Sequence, residues 1–214
     1  MGMFGARTRA PESTDLAWLF PSGVPRVENG PNPLGYNPPF VPPDTLAATS
    51  QINGLGQRCL NALQVTHKSP ADVARVAALM PILRTAAGPY SIDARMLAAI
   101  ALRESAGKNI AEVGNGNGMG VFQLTNQPIR AAQAYDVPFA ADFAAKMLAG
   151  NQKVLAKRHP NFTSEQLLQA TLASYNKYFG HGRSLITDDP NTIDAGTPGR
   201  NYGRNVLDLM SCFP

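Results

Sequence analysis

The sequence predicts a mainly α-helical domain preceded by an extended, proline-rich N-terminal arm. Apolar residues recur at helical spacing through most of the chain, and several of these stretches begin with a helix-capping signal. The alternating patterns typical of β-strands are no longer than a few residues. Half of the 18 prolines lie in the first 44 residues. We therefore divide the chain into an arm, residues 1–44, and a helical domain, residues 45–214.

The arm is expected to be extended, because proline blocks helix formation and removes a backbone donor. It also carries large apolar side chains that could dock on the surface of the domain: Leu16, Trp18, Leu19, Phe20, Tyr36 and Phe40. We therefore expect an arm that packs in part against the domain.

The composition predicts a folded, weakly basic domain. The chain is 44% hydrophobic, which is enough for a core, and 16% charged. The net charge of +4 fits either an anionic partner such as an acidic cell wall or solubility alone. The basic residues are scattered, so no nucleic-acid partner is expected. No apolar stretch is long enough for an integral membrane segment.

Cysteine and histidine usage argues against a disulfide scaffold and a metal centre. The two cysteines, Cys59 and Cys212, form either one bridge that closes a long loop or two unrelated buried thiols. The three histidines, His67, His159 and His181, are far apart along the chain. We expect neither a metal site nor a cofactor.

The first helices are predicted from their capping residues. Asp44 can cap a helix that ends near Leu63. Residues 69–72, Ser-Pro-Ala-Asp, combine a cap, a proline at the first helical position and an acid in the first turn. Pro81 should kink the helix that follows or restart it, and Gly88 should end it.

The next helix is predicted to be the buried centre of the domain. Ser91 or Asp93 can start it, and residues 94–102 are apolar on nearly every side. A single glutamate, Glu104, stands at its far end, and Gly107 lies just past that end.

The second half of the chain carries further helix signals. Helices are expected near residues 127–134, 140–158 and 200–210. Another should start with the capping box of residues 163–166, Thr-Ser-Glu-Gln. A loop rich in Gly, Asp and Pro is expected over residues 179–199.

The position of Glu104 fits a general acid. The negative end of the helix dipole and the apolar neighbours Ile100 and Ala101 both disfavour an ionised carboxylate there. The pKa should therefore be raised, as a proton donor at neutral pH requires. The alternative is a solvated glutamate paired with Arg103 or Lys108.

The glycine-rich run at residues 114–120 does not match a nucleotide-binding loop. No Gly-Lys-Ser/Thr follows it, and no predicted strand precedes it. What remains is a turn whose backbone comes close to a bound ligand.

Several motifs together resemble the lytic transglycosylase domain of the lysozyme superfamily. They are, in order, residues 104–105 (Glu-Ser), residues 118–123 (GMGVFQ) and residues 173–176 (ASYN). Residues 116–120 (GNGMG) also resemble the loop of goose-type lysozymes, and residues 199–207 are similar to the last conserved segment of the family. The resemblance covers roughly residues 70–210.

The resemblance implies a lysozyme-like helical domain of the lytic transglycosylase (SLT) type. It implies an enzyme that cleaves the β-1,4 bond between N-acetylmuramic acid and N-acetylglucosamine in peptidoglycan, with Glu104 as the catalytic residue. Ser105 would help to set the Glu104 carboxyl. The family motifs place substrate-binding residues at Ser105, Gln123, Tyr175, Asn176 and Tyr202. Two alternatives remain open, a Tyr175 packed in the core with its hydroxyl satisfied and an Asn176 that caps its helix.

The number of catalytic carboxylates separates two reactions. Goose-type enzymes carry aspartates around the glycine loop, whereas Gly114 and Asn115 stand where one is expected. A lone Glu104 favours a lytic transglycosylase, which gives 1,6-anhydro products. Glu112 is the possible second acid of the alternative, a goose-type-like muramidase or chitin hydrolase.

Other classes of function also fit the sequence. The domain could be a non-catalytic glycan-binding or virion structural module, and the arm could occupy the groove as an inhibitor. The expected partners are peptidoglycan glycan strands, bound by a monomer. Because the N-terminus lacks a secretory signal, we expect a phage-encoded enzyme or one exported to the periplasm or the cell exterior by a non-Sec route.

Overall fold

The computed structural model describes residues 54–112, 116–125, 129–177 and 186–214. In these ranges the chain forms eight α-helices, isolated β-bridges and no strand, which confirms the mainly α class. The arm and the predicted cap at Asp44 lie outside the described residues. None of the described helices has both the length and the apolar character needed to span a bilayer.

The eight helices are α1 (Gln57–Val65), α2 (Pro70–Ala77), α3 (Met80–Ala87), α4 (Ala94–Ser105), α5 (Ala131–Tyr135), α6 (Val137–Arg158), α7 (Ser164–Lys177) and α8 (Tyr202–Leu209). Most of them are joined by short connections, but 25 residues separate α4 from α5 and 24 separate α7 from α8. Single 3₁₀ turns occur at Gly88–Tyr90, Pro190–Thr192, Pro198–Arg200 and Met210–Cys212.

Several predicted helix starts are confirmed. Ser69 and Asp72 form a reciprocal capping box at the start of α2. Pro81 lies in the first turn of α3, so it restarts a helix rather than kinking one. Thr163 and Gln166 bond reciprocally at the start of α7, as a capping box requires.

Helices α1 and α5 begin later than predicted, at Gln57 and Ala131. Two further boundaries differ from the prediction, each for a local reason. Helix α6 begins at Val137, three residues early, because Asp136 caps it and Pro138 is tolerated in a first turn. Helix α8 begins at Tyr202, two residues late. Gly199 and Arg200 have φ angles of 67° and 53°, which a right-handed helix does not allow.

Helix α4 is the buried centre of the domain, as predicted. It packs against α2, α3, α6 and α8. Residues 97–102 of this helix are fully buried. Asp93, rather than Ser91, caps its N-terminus.

The chain turns sharply at the end of α4. Ala106 and Gly107 have φ angles of 56° and 71°, and their N–H groups donate to carbonyls of the last helical turn. A Cβ on Gly107 would lie 2.8 Å from a methyl carbon of Val76. Glycine is therefore required for the close contact between this turn and α2, and Glu104 is left in the final turn of α4.

The C-terminal segment is tied to α1 by a disulfide. Cys59 and Cys212 are bonded, with their Cα atoms 5.0 Å apart, so the sequence alternative of two separate thiols is not what forms. Arg58 and Asp208 form an ion pair at 2.7 Å. Helix α8 is thus fixed against α1 as well as against α4 and α7.

Candidate active site

Glu104 is a half-buried carboxyl in the last turn of α4. The hydroxyl of Tyr202 donates a hydrogen bond to its Oε1 atom. Burial raises the pKa of Glu104 to about 7, against the hydrogen bond from Tyr202 and the charges of Arg103 and Lys68, which lower it. The charge of Glu112 adds to the rise. At neutral pH a large fraction of Glu104 therefore carries a proton.

Arg103 is bound to α8 rather than to Glu104. Its Nη1 atom donates to Asn205 Oδ1 at 2.9 Å, and its guanidinium carbon lies 5.5 Å from the centroid of the Tyr202 ring. Asn205 in turn donates to the carbonyl of Ala62 at 3.0 Å. Within the described residues Glu104 has no ion pair. The alternative of a solvated, salt-bridged glutamate does not match this geometry.

Ser105 contacts the loop and not the Glu104 carboxyl. Its buried hydroxyl donates to the Val121 carbonyl at 2.7 Å, and the carbonyl of Ala101 lies at 3.3 Å. The influence of Ser105 on the Glu104 carboxyl stays a prediction. Ser105 joins the end of α4 to the backbone of residue 121.

Tyr175 contacts the carbonyl of the next loop residue. It is 1% exposed, and its hydroxyl donates to the Phe122 carbonyl at 2.7 Å. Burial and the charge of Glu104 raise its pKa well above the usual value. The geometry corresponds to the alternative of a buried tyrosine with a satisfied hydroxyl, and the predicted contact with sugar stays a prediction.

Gln123 closes the glycine loop on itself. Its backbone is left-handed, with φ of 47°. Its side-chain Nε2 donates to the carbonyls of Gly120, at 2.7 Å, and Ile110, at 3.0 Å. Both amide hydrogens are thus used inside the loop, and Oε1 is the atom of this side chain that remains to accept a bond from a ligand.

Glu112 and Gln123 explain two of the loop glycines. A Cβ on Gly116 would lie 1.9 Å from the carboxyl carbon of Glu112, and one on Gly118 would lie 2.5 Å from Gln123 Oε1. Glu112 Oε2 accepts the N–H of Gly118 at 2.9 Å. These close contacts are with the protein's own side chains, and the predicted approach of the loop backbone to a ligand stays a prediction.

The sequence comparisons assign this arrangement to a family. Residues 44–210 match the family described as Lysozyme g. The chain belongs to the lysozyme g family. It is 30% identical over 125 residues to Lysozyme g of Cyprinus carpio, a match that covers 57% of this chain. The same match spans 65% of the carp protein, a little under two thirds of its length.

Family membership confirms the resemblance that the motifs predicted. The lysozyme g match includes Glu104, the glycine loop and Tyr202. Asn176 is half-buried, one residue before the end of α7. In the described part of the chain, no three His, Cys, Asp or Glu side chains are grouped so that they could hold a metal ion.

Sequence reasoning missed Lys68 and Asp194 at this site, and it considered Arg103 only as an ion-pair partner of Glu104. Arg103 holds Asn205 and lies against the Tyr202 ring, Lys68 acts on Glu104 through its charge, and Asp194 binds the first turn of α8. Arg103 and Lys68 lie outside any motif that the sequence offered. Asp194 stands in a loop predicted only from its composition, so nothing local pointed to a partner nine residues away.

Proposed function

We propose that this chain degrades peptidoglycan, with Glu104 as the single acid and base of a lytic transglycosylase. The observation that carries the proposal is a half-buried glutamate with a pKa of about 7, hydrogen-bonded to Tyr202 beside a loop of glycines. Such a carboxyl is protonated often enough at neutral pH to donate, and ionised often enough to accept afterwards. Membership in the lysozyme g family supports a glycan substrate. Peptidoglycan as substrate places the action at the cell wall.

The first half of the reaction breaks the glycosidic bond. Glu104 donates its proton to the oxygen that links C1 of N-acetylmuramic acid to N-acetylglucosamine, and the C1–O bond breaks as the sugar leaves. The positive charge that develops at C1 is stabilised by the acetamide of the same muramic acid, which substitutes for a second carboxylate.

The second half of the reaction forms the anhydro ring. Glu104, now ionised, accepts the proton of the muramic acid 6-hydroxyl, and O6 forms a bond to C1. The product is a 1,6-anhydro sugar, and the acid is regenerated. Gln123, through Oε1, and Asn176 are the proposed direct contacts with sugar. Ser105 and Tyr175 hold the loop, and Tyr202 holds the acid.

The contacts of Glu112 favour the lyase over the hydrolase. One of its carboxylate oxygens already accepts the N–H of Gly118, and its side chain lies against Gly116. Residues 113–115 of the loop, Val-Gly-Asn, contain no ionisable side chain. Neither observation provides a carboxylate dedicated to activating water.

The second candidate is a muramidase, which cleaves the same glycosidic bond with water as the acceptor. It is supported by the family description and by the carp relative, both called Lysozyme g. In that reaction Glu112 would activate water, and the products would have reducing ends instead of anhydro ends.

Product analysis tests both candidates together. Purified protein is incubated with sacculi, and the released fragments are analysed by mass spectrometry. Anhydro-muropeptides support the lyase, reducing ends support the muramidase, and no release of fragments rejects both.

Replacing Glu104 tests its role as the acid. Glu104→Gln keeps the size of the side chain but cannot donate a proton, so kcat should fall by about 10²–10⁴-fold. Glu165→Gln, at a glutamate whose side chain is 61% exposed, is the matched control and should leave the rate unchanged. For the unmodified protein, kcat/KM should decline as pH rises through about 7, because the protonated form of Glu104 is lost there. Undiminished clearing of the wall by Glu104→Gln would reject the catalytic claim.

A further inference from the structure

The first turn of α8 carries the group that contacts the acid, and this turn is held by a residue outside the helix. Asn201 stands at the N-cap position but makes no side-chain bond to the helix. Its place is taken by Asp194, from the loop between α7 and α8. Asp194 accepts the N–H of Gly203 at 2.6 Å through Oδ1 and the N–H of Arg204 at 3.0 Å through Oδ2.

Asp194 is itself fixed in place. It is 7% exposed, and its Oδ2 also accepts a hydrogen bond from Gln169 Nε2, on α7, at 2.8 Å. All of these partners are donors, so both carboxyl oxygens are used as acceptors. A carboxylate bound to the free N–H groups of a helix start also benefits from the helix dipole.

The packing around this turn permits little adjustment. A Cβ on Gly203 would lie 2.5 Å from the Gln169 carbonyl and 2.8 Å from the Cβ of Ala173, so α8 contacts α7 closely at this position. Thr197 Oγ1 accepts the N–H of Tyr202 at 3.2 Å. The backbone of residues 202–204 is therefore bound by two side chains of the preceding loop.

We propose that Asp194 is a positioning residue for the reaction, which holds the first turn of α8 so that the Tyr202 hydroxyl reaches Glu104. The inference rests on the proposed role of Glu104 as the acid. The described hydrogen bonds of the Asp194 carboxylate are to Gln169, Thr197 and the first turn of α8, and none is to Glu104. Asp194 acts through Gly203 and Arg204 on the backbone of Tyr202.

The consequence to measure is the protonation of Glu104. The groups whose charge or hydrogen bond acts on it are Tyr202 from α8, Arg103 from α4, Glu112 from the loop after α4 and Lys68 from the loop after α1. Tyr175, from α7, also interacts with the charge of Glu104. The hydrogen bond from Tyr202 favours the ionised form. If the first turn of α8 shifts and this bond is lost, the pKa of Glu104 should rise.

The reference variant is Tyr202→Phe, which removes the bond to Glu104 directly. The test variant is Asp194→Asn, which replaces one carboxylate oxygen with an amide NH₂ group. This group cannot accept the hydrogen bond of the N–H donor that it faces. The control is Asp189→Asn in the same loop, because Asp189 caps the turn at Pro190–Thr192 and its described side-chain hydrogen bonds are to Asn191. The pKa of Glu104 is measured by ¹³C NMR of its side-chain carboxyl across a pH titration, and independently from the alkaline limb of kcat/KM.

Tyr202→Phe should raise the pKa of Glu104 by roughly one pH unit, since a hydrogen bond to a charged group is worth about that much. Asp194→Asn should raise it in the same direction, and Asp189→Asn should leave it unchanged. The Asp194→Asn/Tyr202→Phe double variant should match Tyr202→Phe alone, because both changes remove the same bond. An unchanged pKa in Asp194→Asn, or additive shifts in the double variant, would overturn the proposal even if thermal stability falls.

A milder variant covers the case in which Asp194→Asn does not fold. Gln169→Leu removes one donor to Asp194 and leaves the two backbone bonds, so it should raise the pKa of Glu104 by less than Asp194→Asn would. A folded Gln169→Leu protein with the wild-type pKa would count against the proposal. The NMR titration needs no turnover. It therefore tests Asp194 even if the sacculi remain intact and the proposed function fails.

Discussion

The two sides of Glu104 are built in different ways. The side formed by α8 is buried: Tyr202 is 2% exposed, Asn205 is 4% exposed and Val206 is fully buried. The side formed by residues 111–112 and 116–125 has no helix, and Glu112 and Asn117 are exposed there. Gln123 donates hydrogen bonds to carbonyls of this segment, and Glu112 accepts one from a backbone N–H, so both side chains hold the loop to its own backbone.

The difference extends to the effect of each side on the acid. From α8, the Tyr202 hydrogen bond lowers the pKa of Glu104, whereas from the loop the charge of Glu112 raises it. The buried side therefore acts through a fixed donor whose position depends on helix packing. The exposed side acts through the charge of Glu112, a solvent-exposed residue that also holds the loop.

The largest expected effect comes from breaking the covalent support of the α8 side. Cys59→Ser/Cys212→Ser removes the disulfide between α1 and the segment after α8. The two bonded cysteines are 153 residues apart in sequence. A loop of this length predicts a loss of roughly 2–5 kcal/mol in the free energy of unfolding, measured by urea denaturation.

Reductant provides the control for the disulfide. The chain has two cysteines, so dithiothreitol should lower the urea midpoint of the wild type to that of the double variant and leave the variant unchanged. Equal midpoints with and without reductant in the wild type would mean that the bridge adds no stability.

A smaller effect is expected from a change confined to the loop side. In Gly118→Ala the new Cβ would lie 2.5 Å from Gln123 Oε1 and 3.0 Å from Glu112 Oε2, so the side chains that hold the loop must move. Displacement of about 1 Å near the acid can reduce the rate by about 10²-fold. We expect kcat/KM to fall by roughly 10–100-fold, with a small change in the free energy of unfolding because the helical core is untouched.

Gly88→Ala is the matched control for the loop. A Cβ there meets nothing within 4 Å, and the backbone φ is −52°. Its activity should equal that of the wild type. Equal activity of Gly118→Ala and Gly88→Ala would show that the contacts of the loop glycine have no part in catalysis.

The same contrast explains what the sequence could and could not predict. The helical side follows from local signals, since caps, prolines and apolar spacing placed α2, α3, α4 and α7. The contact between Asp194 and α8 could not be predicted from local signals. It depends on the path of the irregular loop between α7 and α8, which decides where the Asp194 carboxylate lies. Glu104 was predicted as the acid from its place at a buried helix end, and its raised pKa agrees with that reasoning.

The roles of the loop contacts were harder to predict, because a motif gives the type of each residue but not the direction in which its side chain points. Ser105 and Tyr175 were expected to act on the acid and the sugar, yet both donate to successive carbonyls, those of Val121 and Phe122. A hydroxyl can serve a ligand or a buried carbonyl equally well. The choice is made by packing between α4, α7 and the loop, which no local pattern describes.

The smallest expected effect, and the most informative one, comes from Glu112→Gln. The amide can still accept the N–H of Gly118, so the loop contact is kept while the charge is removed. Without the negative charge the ionised form of Glu104 is less disfavoured, and its pKa falls from about 7. The alkaline limb of kcat/KM should therefore move to lower pH, opposite to the shift expected for Tyr202→Phe, while the rate at the new optimum stays within about 10-fold of the wild type. A loss of about 10²-fold or more at every pH would instead identify Glu112 as a second catalytic carboxyl and favour the muramidase.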